Sequence, residues 1–271
     1  MSFTLGPSIL FVPGDRPDRY AKALERADAI IIDLEDAVAS VDKAAAREAL
    51  IANPMDPART IVRLNPAGTE DHDSDLEALE QTEYRTVMLS KSESVADFDA
   101  LSELDVIALC ETARGVLAAT SMAALDCVVA LMWGAEDLVA SLGGSSSRLD
   151  DGPYRGVALQ ARSSVLLAAG AYSKAVIDAV HLDIADLEGL GAEARDAAAL
   201  GFTATACIHP SQVAIVRESY APTVEQIASA RALLAAAESQ PGVFSFEGRM
   251  VDGPILRHAE CVVERAGLRE G

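Results

Sequence analysis

Acidic side chains recur directly after short apolar runs in this chain, and two of them, Glu111 and Asp137, follow consecutive runs. Brought to one place, two carboxylates supply hard oxygen ligands. With water completing the shell, that donor set suits Mg2+ or Mn2+ far better than zinc. Packed together unpaired, the two would raise one another's pKa, a conflict that a divalent cation removes. The alternative is that acidic residues simply end strands and face solvent. Asp33, Glu35 and Asp36 follow an earlier run. They read either as an outer set hydrogen-bonding metal-bound waters or as a solvated acidic loop with a helix N-cap. Arg63 ends a third run, where a buried arginine is costly unless paired. Its planar fork suits a substrate carboxylate, and a structural ion pair with the acids just named is the other reading. Gly134-Ala135-Glu136-Asp137 joins small residues to a helix start, so its backbone N–H groups also suit a carboxylate.

These residues need a scaffold that gathers strand ends. Eight runs rich in Val, Ile and Leu, at 8–12, 29–33, 60–64, 86–89, 105–110, 127–132, 175–180 and 204–208, alternate with Ala-rich stretches. Segments 18–26, 43–51, 95–102 and 153–171 carry apolar residues at i, i+3 and i+4, the helical period. Continuous rather than alternating apolar runs suit strands buried on both faces of a parallel sheet. Eight strand-then-helix units in series predict a single (β/α)8 barrel over residues 1–240, with a doubly wound open sheet as the runner-up. Residues 241–271 fall outside the eight units and read as a hairpin at 243–251 followed by a helix at 254–266. In such a barrel, chemistry gathers at the C-terminal ends of the strands. Those ends here are Pro13-Gly14-Asp15-Arg16, Asp33 to Asp36, Arg63 to Asn65, Ser90-Lys91, Glu111-Thr112, Gly134 to Asp137, Asp178 and His209-Pro210. No Gly-x-Gly-x-x-Gly follows the first strand and no Gly-Lys-Ser/Thr occurs, so dinucleotide and P-loop readings lose their main support.

The composition sets the class. Of 271 residues, 50% are hydrophobic and 24% charged, enough apolar surface for a sizeable core. The formal charge of −20 makes nucleic acid and anionic membrane surfaces poor partners. No apolar run reaches the roughly 18 residues of a membrane span, and residues 1–7 lack the pattern of a signal peptide, so a cytoplasmic location is expected. Cys110, Cys127, Cys207 and Cys261 show no metal-ligand spacing. The first three lie in apolar runs and are expected to be buried free thiols.

Six motifs occur in register: Pro13-Gly14-Asp15-Arg16, Asp33-Leu34-Glu35-Asp36-Ala37-Val38, Arg63-Leu64-Asn65, Glu111-Thr112, Gly134-Ala135-Glu136-Asp137-Leu138 and Ile208-His209-Pro210-Ser211-Gln212. Together they resemble the citrate-lyase β-subunit branch of the HpcH/HpaI aldolase superfamily, which includes malyl-CoA and citramalyl-CoA lyases. The resemblance implies a magnesium-bound barrel, a homotrimer or a dimer of trimers, that reversibly cleaves a 3-hydroxyacyl-CoA thioester to a 2-oxo acid and an acyl-CoA. It also implies Glu111 and Asp137 as metal ligands, Glu35 and Asp36 around the metal's waters, and Arg63 on the 2-oxo acid. Pro13 and Gly14 are similar to a turn that seats coenzyme A, with Arg16 and Arg19 as candidates for its phosphates. Gly248-Arg249-Met250-Val251-Asp252-Gly253-Pro254 resembles a tail segment that delivers an aspartate, matching Asp252, to a neighbouring subunit's site. A turn aspartate before a Pro-initiated helix is the local alternative. The sequence departs from the pattern at Ala204-Thr205, where the family often has Gly-Lys, which removes a phosphate contact. His209 reads as an anchor before Pro210 rather than a base. Rival expectations are a β subunit acting on a carrier protein within a complex, a non-catalytic metal- or CoA-binding barrel, and a condensation followed by thioester hydrolysis.

Overall fold

The computed structural model describes Phe3 and residues 5–240 and 242–267. The remainder of the N-terminal stretch read against a signal peptide, with Pro241 and the last residues of the C-terminal segment, lies outside the described residues. The chain forms two compact units, Met1–Val216 and Arg217–Gly271.

The first unit contains a closed barrel of eight parallel strands in sequence order: β1 (Ser8–Pro13), β2 (Ala29–Asp33), β3 (Thr60–Leu64), β4 (Thr86–Leu89), β5 (Asp105–Cys110), β6 (Val128–Trp133), β7 (Ala175–Asp178) and β8 (Ala204–Cys207). Closure between β8 and β1 runs through Ser8↔Thr205, Ile9↔Ala206 and Leu10↔Cys207, which decides for the barrel over the open sheet. Period-2 geometry splits each strand between two cores. Ile9, Ile31, Ile61, Met88, Ile107, Leu109, Met132, Ile177 and Ala206 fill the barrel interior. Their neighbours, such as Leu10, Ile30, Ile32, Val62 and Leu131, are fully buried on the other side, toward the helices. That two-sided burial is why β2 and β3 read as unbroken apolar runs.

The helices are α1 (Tyr20–Arg26), α2 (Lys43–Ala52), α3 (Glu70–Leu79), α4 (Ala113–Ala123), α5 (Ala135–Ser141), α6 (Gly156–Ala171), α7 (Leu187–Leu200) and α8 (Pro210–Tyr220). Side chains fix the starts of α3, α4 and α7, where the caps Thr69, Thr112 and Asp186 accept from the backbone N–H of His72, Gly115 and Gly189. Gly201, at φ 105, ends α7 in a conformation that favours glycine. The helix expected at 18–26 divides into a 3-10 turn at Pro17–Arg19 and then α1, because Pro17 starts the tighter turn. The segment at Val95–Leu101 is 3-10 throughout, under a capping box made by Ser94 and Asp97. The long helix starts at Gly156 rather than 153, since Tyr154 bridges back to Arg148.

The second unit holds the end of α8, α9 (Val224–Ser239), the antiparallel pair β9 (Phe244–Phe246) and β10 (Arg249–Val251), and α10 (Gly253–Gly267). Helix α9 packs on α10, so it groups with the hairpin and final helix, and this unit begins ahead of residue 241. Cys110 and Cys207 are buried free thiols; Cys127 is only half-buried, because it precedes β6.

Candidate active site

Strand register places the candidate side chains. Cys110 pairs with Trp133 at the ends of β5 and β6, so Glu111 and Gly134 follow as neighbours at one mouth. Glu111 is 3% exposed, and its Oε1 accepts the backbone N–H of Lys91 at 3.0 Å. A Cβ built on Gly134 would lie 2.8 Å from the Glu111 Cβ and 2.9 Å from its Oε2. Only glycine lets the two strand ends approach so closely. Burial, with the nearby Asp137 charge adding to it, pushes the Glu111 carboxyl up to about 8, although Arg63 and Lys91 pull the other way. Asp137 is half-buried in the first turn of α5, beside buried Ala135. No side chain caps that turn at Gly134. Glu136 is exposed and accepts a hydrogen bond from Ser147. Among the described residues no three His, Cys, Asp or Glu side chains cluster tightly enough to hold a metal. Two carboxylates that repel one another in a buried mouth nevertheless fit a hard cation that takes its other ligands from water and substrate.

Arg63 lies opposite Asp33 in the β2–β3 register. Its Nε and Nη2 donate to Asp33 Oδ1 and Oδ2 at 2.7 and 2.6 Å, and Nη1 lies 3.2 Å from Glu35 Oε2. The guanidinium also stacks 5.0 Å from the centre of the Phe11 ring. Of the two readings left open for Arg63, the ion pair is therefore present, aimed into the barrel mouth beside Glu111. Asp33 accepts from the backbone N–H of Glu35 and Ala37 as well, which folds the loop after β2. Buried Lys43 supports that loop from beneath, donating to the carbonyls of Leu34 and Glu35 and to Asn65.

Lys91 is a site residue that sequence reasoning passed over. It follows β4 with φ 48, its backbone N–H holds Glu111, and its Nζ contacts Glu35 and Asp36. Glu35 is buried, and burial raises its pKa against the opposing charges of Arg63 and Lys91; Asp36 is exposed. The sequence signal was only its position at a strand end.

The turn after β1 brings Pro13 and Gly14 to the same rim. The Gly14 N–H donates to Asp33 O at 2.8 Å, and a Cβ there would meet that oxygen at 2.8 Å. Arg16 pairs with Asp18 at 3.1 Å on the surface, and Arg19 is exposed. In the C-terminal unit, half-buried Asp252 precedes α10, and its Oδ1 accepts from Ile255 N at 3.5 Å, the geometry of a weak cap. His209 is exposed and bonds Ser211. The His209 Nδ1 also accepts from the Ser211 backbone N–H across Pro210, and Gln212 adds a second tie by accepting from the backbone N–H of both Ile208 and His209.

Known proteins match nearly the whole chain in sequence and fold. The model of the HpcH/HpaI aldolase/citrate lyase family matches residues 7–210. A citrate lyase subunit beta-like protein of Mycobacterium tuberculosis is 58% identical over 262 residues, covering 97% of this chain and 96% of that one. The human mitochondrial citramalyl-CoA lyase is 30% identical over 295 residues, covering 96% and 85%. A crystal structure of CitE from M. tuberculosis, in complex with magnesium, acetoacetate and coenzyme A, superposes with a TM-score of 0.94 at 57% identity, covering 97% of this chain and 99% of that one. With its closed eight-stranded barrel and this match, the chain belongs to the HpcH/HpaI aldolase/citrate lyase family.

Proposed function

We propose that the chain is a magnesium-dependent carbon–carbon lyase that reversibly splits a 3-hydroxyacyl-CoA thioester, of the malyl-CoA or citramalyl-CoA kind, into a 2-oxo acid and an acyl-CoA. The observation that carries this reading is the pair Glu111 and Asp137 at adjacent strand ends, one of them buried with its pKa pushed up to about 8. One relative named citramalyl-CoA lyase, and another crystallised with magnesium, acetoacetate and coenzyme A, support the same chemistry.

Glu111 and Asp137 would hold the cation. Bound there, Mg2+ supplies a positive centre that acidifies the substrate hydroxyl and stabilises the carbonyl oxygen formed as the C–C bond breaks; Mn2+ would serve in its place. Arg63, already aimed into the mouth, takes the carboxylate of the departing 2-oxo acid, and the backbone of Gly134, Ala135, Glu136 and Asp137 fixes it from the other side. Glu35 and Asp36 accept hydrogen bonds from water around the cation. Pro13 and Gly14 seat the coenzyme A chain, and Arg16 and Arg19 meet its phosphates. The substrate hydroxyl gives its proton to solvent water as the C–C bond breaks, and the acyl-CoA leaves as an enolate that takes a proton at carbon. Asp252 of another copy donates it, within a homotrimer or hexamer in the cytoplasm.

A turnover assay with Mg2+ on malyl-CoA, citramalyl-CoA, 3-hydroxy-3-methylglutaryl-CoA and free citrate tests the reading. Cleavage of a thioester that EDTA abolishes, and that Asp252→Asn slows severely, is the expected result. An Asp252→Asn variant with full turnover removes that residue from the mechanism. The name of the M. tuberculosis relative favours a second reading, a β subunit acting on a carrier-bound citryl group. Silence on every thioester, with an α subunit and carrier protein co-purifying, would establish it. Free coenzyme A released from acetyl-CoA and glyoxylate would indicate a following hydrolysis, and metal binding without turnover a non-catalytic barrel.

A further inference from the structure

Five carboxylates crowd the rim between β2 and β6, yet they are not equivalent. Asp33 is taken by the Arg63 fork. Glu35 is engaged at both oxygens, Oε2 by Arg63 Nη1 and Oε1 by Lys91 Nζ. Asp36 Oδ2 lies 3.1 Å from the same ammonium. Glu111 Oε1 is held by the Lys91 backbone N–H, so Oε2 is the oxygen left on the Gly134 side. One residue therefore touches three of the five acids, and it does so from a left-handed conformation, φ 48, that a side chain with a Cβ adopts only when its surroundings enforce it.

We infer that Lys91 is a positioning residue that confines the metal to Glu111 and Asp137, withholding Glu35 and Asp36 so that coordination positions stay open for substrate. The inference rests on the metal-dependent reading above. A hard divalent cation takes about six oxygen ligands. With two carboxylates supplied by the protein, the remaining positions accept water and the chelating atoms of a substrate. The Lys91 ammonium occupies Glu35 Oε1 and Asp36 Oδ2, the oxygens that would otherwise add to the two-carboxylate set. Without its ammonium, Glu35 Oε1 and Asp36 lose their counter-charge, and the mouth gains one net negative charge. Both changes favour the bare cation, and neither favours the substrate complex.

The opposite signs make the idea testable with Mn2+ alone, titrated into the full-length protein and followed by the electron paramagnetic resonance of the free ion. Lys91→Met is expected to bind Mn2+ about five- to tenfold more tightly, since a positive charge near the cation has gone. Its kcat at saturating metal is expected to fall at least about tenfold, as positions for substrate close. Lys91→Gly keeps the backbone N–H and accepts the left-handed φ without strain, so it reports the ammonium alone, and the same tightening is expected. Lys91→Arg is expected to stay near wild type in metal affinity. Unchanged or weaker Mn2+ binding in both Lys91→Met and Lys91→Gly would overturn the inference, because a residue that merely holds the fold loosens the site when removed. Wild-type protein that binds no Mn2+ would fail at an earlier step, removing the metal reading and this inference with it.

Discussion

Two buried arginine–aspartate pairs occupy opposite sides of the barrel, and they end differently. On the β7 side, Arg162 donates to Asp178 through Nε and Nη2 and to Asp196 through Nη1, while Trp133 Nε1 and the Ala179 N–H complete the Asp178 shell. On the β3 side, Arg63 grips Asp33 in the same bidentate way, but Glu35, Asp36, Glu111 and Asp137 crowd beside it, with Lys91 reaching Glu35 and Asp36 and Lys43 committed to backbone carbonyls and Asn65. The first cluster closes on itself around Asp178, and its one unbalanced carboxylate, Asp196, faces solvent. The second keeps a surplus of negative charge, and that surplus marks a place for an external cation. A buried ion pair thus points to chemistry when several charges are left over beside it, rather than one that solvent reaches.

The largest expected effect breaks the closed cluster. Arg162→Met strands Asp178 and should cost about 3–5 kcal/mol of stability in urea unfolding, while the protein that remains folded keeps wild-type Mn2+ affinity. A large loss of metal affinity in the folded variant would show that the two sides are not independent. A smaller effect belongs to Glu111. Its carboxyl lies at about 8 in the folded chain, raised above its ordinary range by burial and by Asp137. The folded state therefore holds a proton that the unfolded state has already released. Metal-free protein should lose stability as pH rises from about 4.5 toward 8, and Glu111→Gln should flatten that slope. Unfolding curves with chelator across that range measure it, and an unchanged slope in the variant assigns it elsewhere. Gly134→Ala comes next. Its new Cβ meets Glu111 at 2.8 Å, so about 1–3 kcal/mol of stability and most metal affinity should go together. Smallest is Arg16→Ala on the exposed rim, where the melting midpoint should hold and KM for the thioester rise a few-fold; an unmoved KM would take Arg16 out of coenzyme A binding.

Much of this arrangement was legible in the residues. The strands at 29–33, 60–64, 86–89 and 105–110 have the expected limits, because burial on both faces makes them continuous apolar runs. Parity carries more than the strand-end pattern alone gave. Ile31, Ile61, Leu109 and Met132 face the barrel interior, so Asp33, Arg63, Glu111 and Gly134, each two positions further, turn toward the mouth. Ile177 also faces inward, so Asp178, one position on, points to the helices and meets Arg162. A strand-end acid counted with the mouth is thereby placed in the closed cluster. Lys91 was not legible, since nothing in a lysine's identity announces a positive φ or a backbone N–H committed to Glu111. The same holds for Gln212, whose hold on Ile208 and His209 depends on how α8 leaves β8.

The most direct test of the central claim is a Mn2+ titration of wild type beside Glu111→Ala and Asp137→Asn, with Arg162→Met as the control from the closed cluster. The expected result is one tight ion per chain in wild type and the control, and its loss in both mouth variants. Binding that survives in Glu111→Ala and Asp137→Asn would contradict the assignment of the metal to this mouth.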